Sequence, residues 1–165
     1  MIQLNIIRNR EMTEGVGRAI NELFSNTQIC PELCRAVLPD KADTVIDSFK
    51  LVQNAYDKRI CKHVSIQQLV FDEGTDDGIV ENITSQVVDA VGSDYQIVTG
   101  MSKAEDGRCI ATLVANTVAY TGGRLLYDNN TRYKRLLRDL SDRNIKMCVK
   151  DTVFFDNEDL WKAYN

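Results

Sequence analysis

Acidic and amide side chains follow three predicted strands, and their chemistry suits a divalent cation. They are Asp72 and Glu73 after 64–71, Glu105 and Asp106 after 95–99, and Asp128, Asn129 and Asn130 after 124–127. In open α/β sheets, ligands bind beyond the carboxyl ends of parallel strands, so these groups are expected to converge at one sheet edge. Carboxylates and waters suit Mg²⁺ or Mn²⁺, and such a cation would activate water for attack on a phosphodiester. The sequence therefore predicts an acidic Mg²⁺ or Mn²⁺ site.

A second interpretation of the acidic residues involves no ligand. Asp76, Asp77, Glu105 and Asp106 would complement the positive N-terminal ends of predicted helices. Asp128, with the asparagines after it, would form a turn or cap a helix. Each residue taken alone fits this interpretation, whereas the recurrence of acidic residues at strand ends favours a shared site.

A basic run follows the third acidic segment. It consists of Arg132, Lys134, Arg135 and Arg138. Such a run can contact the phosphates of RNA or DNA, and binding would then weaken as salt is added. The alternative is the solvated face of a helix. We predict these four residues as nucleic-acid-binding and keep the alternative open.

The elements that would hold these residues alternate between strands and helices. Strands are predicted at 2–7, 64–71, 95–99, 124–127 and 145–149, and helices from Asp76 to Gly92, from about Lys103 to the break at Gly122-Gly123, and over 131–143. Three further helical stretches lie between the first two strands. This alternation predicts a Rossmann-like three-layer α/β sandwich with a mainly parallel sheet and a helical N-terminal region.

The length of 165 residues is that of one domain with a substantial core. We divide it into a helical N-terminal subregion at 1–60, an alternating core at 64–150 and a tail at 151–165. The tail carries several large apolar side chains and is expected to pack on the body or on a protein partner, including a second copy. These side chains are Phe154, Phe155, Leu160, Trp161 and Tyr164.

Composition narrows the classes of function. The net charge of −4 favours solubility and does not by itself indicate a nucleic-acid partner. No apolar run is long enough to cross a bilayer, and the opening residues lack the pattern of a signal peptide, so no membrane association is expected. Five scattered cysteines suit a reducing compartment. The expected location is the cytoplasm.

Three stretches together resemble the C-terminal half of PIN/NYN-type ribonuclease domains. They are TGMSKAEDGRCI at 99–110, LLYDNN at 125–130 and YKRLL at 133–137. In that family an acidic residue opens a helix, and an apolar strand ends in an acidic residue beside another polar ligand. The resemblance implies that Asp106 and Asp128 are metal ligands with Asn129 or Asn130 beside them, and that Asp72 supplies the carboxylate of an earlier strand.

A competing resemblance involves the segment EGTDD at 73–77. It is similar to the Glu-Gly-x-x-Asp opening of Toprim domains, and Asp128-Asn129-Asn130 stands where those domains carry Asp-x-Asp. This resemblance implies that Glu73 is the acid/base residue and that Asn130 occupies a metal-ligand position. Both families use acidic strand ends and Mg²⁺ on nucleic acid, so both imply a similar site.

We therefore predict a metal-dependent nuclease-like protein that acts on RNA or DNA. Its predicted catalytic residues are Asp72, Glu73, Asp106 and Asp128, and its predicted metal ligands are Asp72, Asp106, Asp128 and Asn130. The alternative is a non-enzymatic binding or assembly protein, such as a small viral or accessory subunit, that has the same fold and a degenerate acidic edge.

Overall fold

A mixed sheet lies at the centre of the protein. The computed structural model describes residues 2–8, 10–56, 62–127 and 129–152, and within them six strands and five α-helices are formed. In chain order the elements are β1 (Ile2–Ile7), α1 (Arg10–Thr13), α2 (Val16–Asn26), β2 (Gln28–Ile29), a 3₁₀ helix (Pro31–Leu33), α3 (Ala42–Ala55), β3 (Val64–Phe71), α4 (Asp77–Val91), β4 (Ile97–Lys103), β5 (Cys109–Asn116), α5 (Asn130–Ser141) and β6 (Met147–Thr152).

The strand order is β2-β4-β5-β3-β1-β6. Among the described residues, β1 and β6 form the one parallel pair, and the other four pairs are antiparallel. The expectation of a mixed α/β fold is confirmed. The expectation of a mainly parallel, Rossmann-like sheet is wrong, because the segment predicted as the crossover helix after Lys103 is a strand.

That segment forms a β-hairpin with the strand before it. Lys103 pairs with Cys109, and the backbone N–H of Ala104 donates to the carbonyl of Arg108 at 2.9 Å. Gly107 has a φ of +87°, a left-handed conformation that glycine adopts without strain. All but the first residue of β5 are buried, so the strand shows no alternation that would separate it from a buried helix.

Helices pack against both faces of the sheet in two separate apolar clusters. On one face α2 and α3 pack through Ile20, Leu23 and Phe49. On the other face α4 and α5 pack through Val87 and Leu136 among others. Every residue of β3 is buried, as expected for a central strand between two helical layers.

The segment between β5 and α5 is irregular. The predicted strand at 124–127 is reduced to one isolated bridge between Val118 and Leu125. Two of the three predicted N-terminal helical stretches form α2 and α3, whereas the stretch after Pro31 forms only the 3₁₀ helix; the described part of the first 60 residues also contains α1, β1 and β2. The aromatic residues of the predicted tail lie outside the described residues. No helix within the described part of the chain is long and apolar enough to cross a membrane.

Strand pairing defines two ends of the sheet. Phe71, Cys109 and Lys103 lie side by side at one end, which we call the acidic end. Val64 and Asn116 pair at the other end, which we call the cleft end. Because β3 spans eight residues, the two ends lie about 25 Å apart.

Candidate functional site

Three of the predicted catalytic carboxylates share the acidic end. Asp72 and Glu73 follow β3 directly, and Asp106 lies in the turn between β4 and β5. Glu73 is beside that turn, since a Cβ placed on Gly107 would lie 3.0 Å from the Glu73 Oε1. All three acidic residues are exposed. The antiparallel hairpin therefore brings together residues that were predicted to meet through parallel strands.

Local hydrogen bonds account for several acidic groups at this end. The Asp106 carboxylate accepts from the backbone N–H of Arg108 at 3.1 Å and from its Nε at 2.7 Å. These bonds hold the pKa of Asp106 below its usual value. Asp76 caps α4 by accepting from the backbone N–H groups of Gly78 at 2.9 Å and Ile79 at 3.4 Å, so it lies at the positive N-terminal end of a helix, as the interpretation without a ligand expected.

The predicted metal site is not assembled from the residues that the structure describes. Within them, no group of three or more His, Cys, Asp or Glu side chains is placed to hold a metal ion. Asp128 lies outside the described residues, but its neighbours Tyr127 and Asn129 border a cleft at the opposite end of the sheet. Asn130 is the first residue of α5 at that same end. Asp106 opens no helix, in contrast to the pattern on which the PIN/NYN resemblance depends.

The cleft end contains a concavity of about 580 Å³ between three segments. They are the C-terminal end of α4, the irregular segment 119–127 and the N-terminal part of α5. Among the described residues, its charged lining groups are Arg124, Arg132 and Arg135 against Asp94 and Asp139. These described groups carry one more positive than negative charge, in a protein whose net charge is −4.

Helix geometry divides the predicted basic run between two surfaces. Arg132 and Arg135 line the cleft, next to the buried residue Leu136. Lys134 and Arg138 are exposed and do not line it. Arg132 and Arg135 are three apart and share a side of the helix, whereas Lys134 and Arg138, two and six residues after Arg132, point away from it by roughly 160° and 120°. Half of the run therefore lines the cleft and the other half forms a solvated helix surface.

Two tyrosines add aromatic surface to the cleft. Tyr127 is 65% exposed, an unusual degree for an aromatic side chain, whereas Tyr95 is buried. Burial raises the pKa of Tyr95, although the positive charges of Arg124 and Arg132 act against the shift. Tyr95 is therefore a neutral phenol at physiological pH. A guanidinium group beside an aromatic ring is a pairing that proteins use for phosphorylated, ring-bearing ligands.

The wall formed by 119–127 is fixed from the opposite layer of the protein. The Tyr56 hydroxyl, at the end of α3, donates to the carbonyl of Tyr120 and accepts from the N–H of Gly122, both at 2.9 Å. Gly123 packs against the Tyr56 ring and has a φ of +69°. The N–H of Leu126 donates to the carbonyl of Thr117 at 2.7 Å. These bonds place Arg124 and Tyr127 at the rim.

A second concavity, of about 620 Å³, lies nearer the acidic end and contains two thiols, Cys30 and Cys109. Burial raises the pKa of Cys30 to about 11, and the carboxylate of Glu32 adds to the shift. Burial also raises the pKa of Cys109. Both groups are protonated at neutral pH, so neither is an activated nucleophile.

Sequence reasoning missed Arg124, Tyr95 and Tyr127 as functional candidates. The double glycine at 122–123 was a signal for an irregular, exposed segment, where binding residues often lie.

Comparison with known protein families, curated proteins and solved structures gave no match. The PIN/NYN and Toprim resemblances stay predictions, and functional inference rests on the geometry of the two ends.

Proposed function

We propose that this protein is a nucleic-acid-binding protein that holds a phosphate-bearing segment of RNA or DNA in the cleft without cleaving it. The observation that carries the proposal is the convergence of Arg124, Arg132 and Arg135 with the exposed ring of Tyr127 around one concavity. This is the binding-protein alternative drawn from the sequence, with the site located at the cleft end.

The chemistry of the lining groups favours a phosphodiester ligand. Guanidinium groups form paired hydrogen bonds to phosphate oxygens, and several of them together attract a polyanion more than a single phosphate. Tyr127 offers a flat face on which a base can stack. The volume of about 580 Å³ is in the range of pockets that bind small organic ligands, and thus fits about one nucleotide unit.

A pair of arginine variants tests the proposal. Arg135→Ala removes a cationic group from the cleft, whereas Arg138→Ala removes the same group from the outer surface of the same helix. We expect Arg135→Ala to weaken binding of a labelled single-stranded oligonucleotide about tenfold and to lower the slope of log K against log salt by about 1. Arg138→Ala should change affinity by less than about twofold, since an exposed charge outside the site acts only at long range.

Fluorescence anisotropy with matched RNA and DNA oligonucleotides at several salt concentrations measures both quantities. Equal losses for the two variants would mean that the binding is a diffuse attraction to α5. Absence of binding by the wild-type protein at low salt would exclude the proposed function.

A metal-dependent nuclease is the second candidate, and one observation favours it. Asp72, Glu73 and Asp106 lie at the same end of the sheet, and carboxylates with waters are the ligands that Mg²⁺ or Mn²⁺ prefers, although as placed no three described carboxylates form a cation site. The cationic cleft lies about 25 Å away, at the opposite end of the sheet, so it would not present a bound phosphodiester to these carboxylates. Mn²⁺-dependent cleavage by the wild type that is lost in both Asp72→Asn and Asp106→Asn would replace the binding proposal with this one.

A further inference from the structure

A buried amide lies beneath the cleft, in the middle of the central strand. Gln67 is 2% exposed and sits on β3, on the sheet face that packs against α4 and α5. Its neighbours along that face of the strand, Leu69 and Phe71, belong to the apolar core. Burying an amide in such surroundings is unfavourable unless its polar atoms are hydrogen-bonded.

The Gln67 amide contacts one cleft arginine directly. We assign the amide so that its oxygen faces α5, because the opposing groups are donors; in this orientation the oxygen accepts from Arg132 Nη1 at 3.1 Å and Nη2 at 2.9 Å. It also accepts from the hydroxyl of Tyr133 at 3.2 Å. That hydroxyl in turn accepts from Arg132 Nη1 at 3.3 Å.

The ring of Tyr133 adds a further constraint on Arg132. The centre of the guanidinium lies 5.1 Å from the centroid of this ring, within the range of a cation–π contact. Tyr133 is itself 3% exposed and belongs to the core, so its ring is held in place. Arg132 is thus restrained by two buried side chains, whereas Arg135 and Arg124 are exposed.

We infer that Gln67 and Tyr133 are positioning residues that orient the Arg132 guanidinium for a ligand phosphate in the cleft. This inference rests on the proposed function. An arginine side chain loses considerable rotamer freedom when it binds, and a side chain that is already ordered loses less. The amide is uncharged, so it directs Arg132 without neutralising its positive charge, as a buried carboxylate in its place would.

A purely structural role for Gln67 would consist of holding α5 against the sheet, and it makes a different prediction. In that case, loss of the amide would weaken binding whether or not Arg132 is present. A positioning role requires that the effect of Gln67 pass through Arg132. The two roles therefore differ in the coupling between the residues.

The test is a double-mutant cycle on binding of a labelled single-stranded oligonucleotide. Gln67→Met keeps the length and approximate volume of the side chain and removes the amide. We expect it to lower affinity about three- to tenfold in the wild-type background and to cause no further loss in the Arg132→Ala background. Tyr133→Phe, which removes only the hydroxyl, should give a smaller loss with the same dependence on Arg132.

A measurement on the free protein complements the cycle. In ¹⁵N spectra of arginine side chains, the restrained Arg132 should show slow rotation of its guanidinium, and Gln67→Met should make that rotation fast. Equal affinity losses for Gln67→Met in both backgrounds, or rotation that is fast in the wild type, would overturn the positioning role while leaving the proposed function intact. Failure of the wild-type protein to bind any oligonucleotide would overturn both.

Discussion

The two ends of the sheet differ in the charged side chains that they carry and in shape. At the acidic end, the chain makes tight turns, and its carboxylates stand on an exposed surface. At the cleft end, α4 finishes, α5 begins and the irregular segment 119–127 closes the third side of a concavity. Arg124, Arg132 and Arg135 line the cleft, whereas Asp72, Glu73 and Asp106 do not line the second concavity near the acidic end, so only the arginines are placed around a concave surface that a ligand could fill.

The two ends also differ in the groups that hold their charged side chains. Asp76 and Asp106 are engaged by backbone N–H groups of their own turns. In the cleft, Arg132 is engaged by two uncharged buried side chains, Gln67 of β3 and Tyr133 of its own helix. A charged side chain that is hydrogen-bonded within its own turn stabilises that turn, whereas one that buried side chains hold in place can be oriented toward a ligand.

The largest expected effect concerns two glycines in the left-handed region, one at each end. Gly123 has a φ of +69°, and a Cβ there would clash with the Tyr56 ring, whereas Gly74 has a φ of +79° and no atom within 4 Å of such a Cβ. We expect Gly123→Ala to lower the free energy of unfolding by about 3 kcal/mol, and Gly74→Ala by about 1 kcal/mol, because only the first adds a clash to the backbone strain. Urea denaturation measures both values. Equal costs would mean that Tyr56 does not fix the cleft wall.

The next prediction compares the residues that cap α4 and α5. Asp76 caps α4 near the acidic end, and Asn129 caps α5 at the cleft by accepting from the N–H of Arg132 at 3.0 Å. Asp76→Ala and Asn129→Ala should each lower the free energy of unfolding by about 1 kcal/mol. Only Asn129→Ala should also weaken oligonucleotide binding, since it loosens the turn of helix that carries Arg132. An equal effect of both variants on affinity would remove the distinction between the ends.

The smallest effect is a pH dependence at the acidic end. The folded pKa of Asp106 is depressed by its bonds to Arg108, so the ionised form contributes stability above the unfolded pKa. That contribution should disappear as pH falls below about 4, through the folded pKa. In Asp106→Asn the corresponding part of the pH dependence of unfolding should be missing, while affinity at the cleft stays unchanged. Carboxyl groups usually titrate between about pH 2 and pH 5. If the free energy of unfolding of Asp106→Asn depends on pH in that range as the wild type's does, this assignment is contradicted.

Local signals were enough to predict the elements with distinct ends. α4 begins after its cap residue Asp76 and ends at Gly92, as these residue types indicated, and β1 and β3 have their predicted bounds. The hairpin of β4 and β5 was not predictable in the same way. Its second strand is buried along nearly its whole length, so the apolar run carries no period of two, and its helix-like spacing was misleading.

The site was harder to predict than the fold because it depends on contacts between distant segments. The acidic residues were identified by type, but their separation from the cleft follows from the antiparallel strand order, which no local pattern reveals. Arg132 and Arg135 were identified as part of a basic run. The contribution of Gln67 requires knowledge of which face of β3 packs against α5, and a polar residue inside an apolar strand was the signal available.

The most direct test of the central claim is an NMR titration of ¹⁵N-labelled protein with a short single-stranded oligonucleotide. We expect the backbone amide signals of 92–95, 119–127 and 129–136 to shift in a saturable manner, because these segments line or border the cleft. Signals of 72–76 and 104–108, at the acidic end, should stay in place. Shifts confined to the acidic end, or no shifts at either end at low salt, would contradict it.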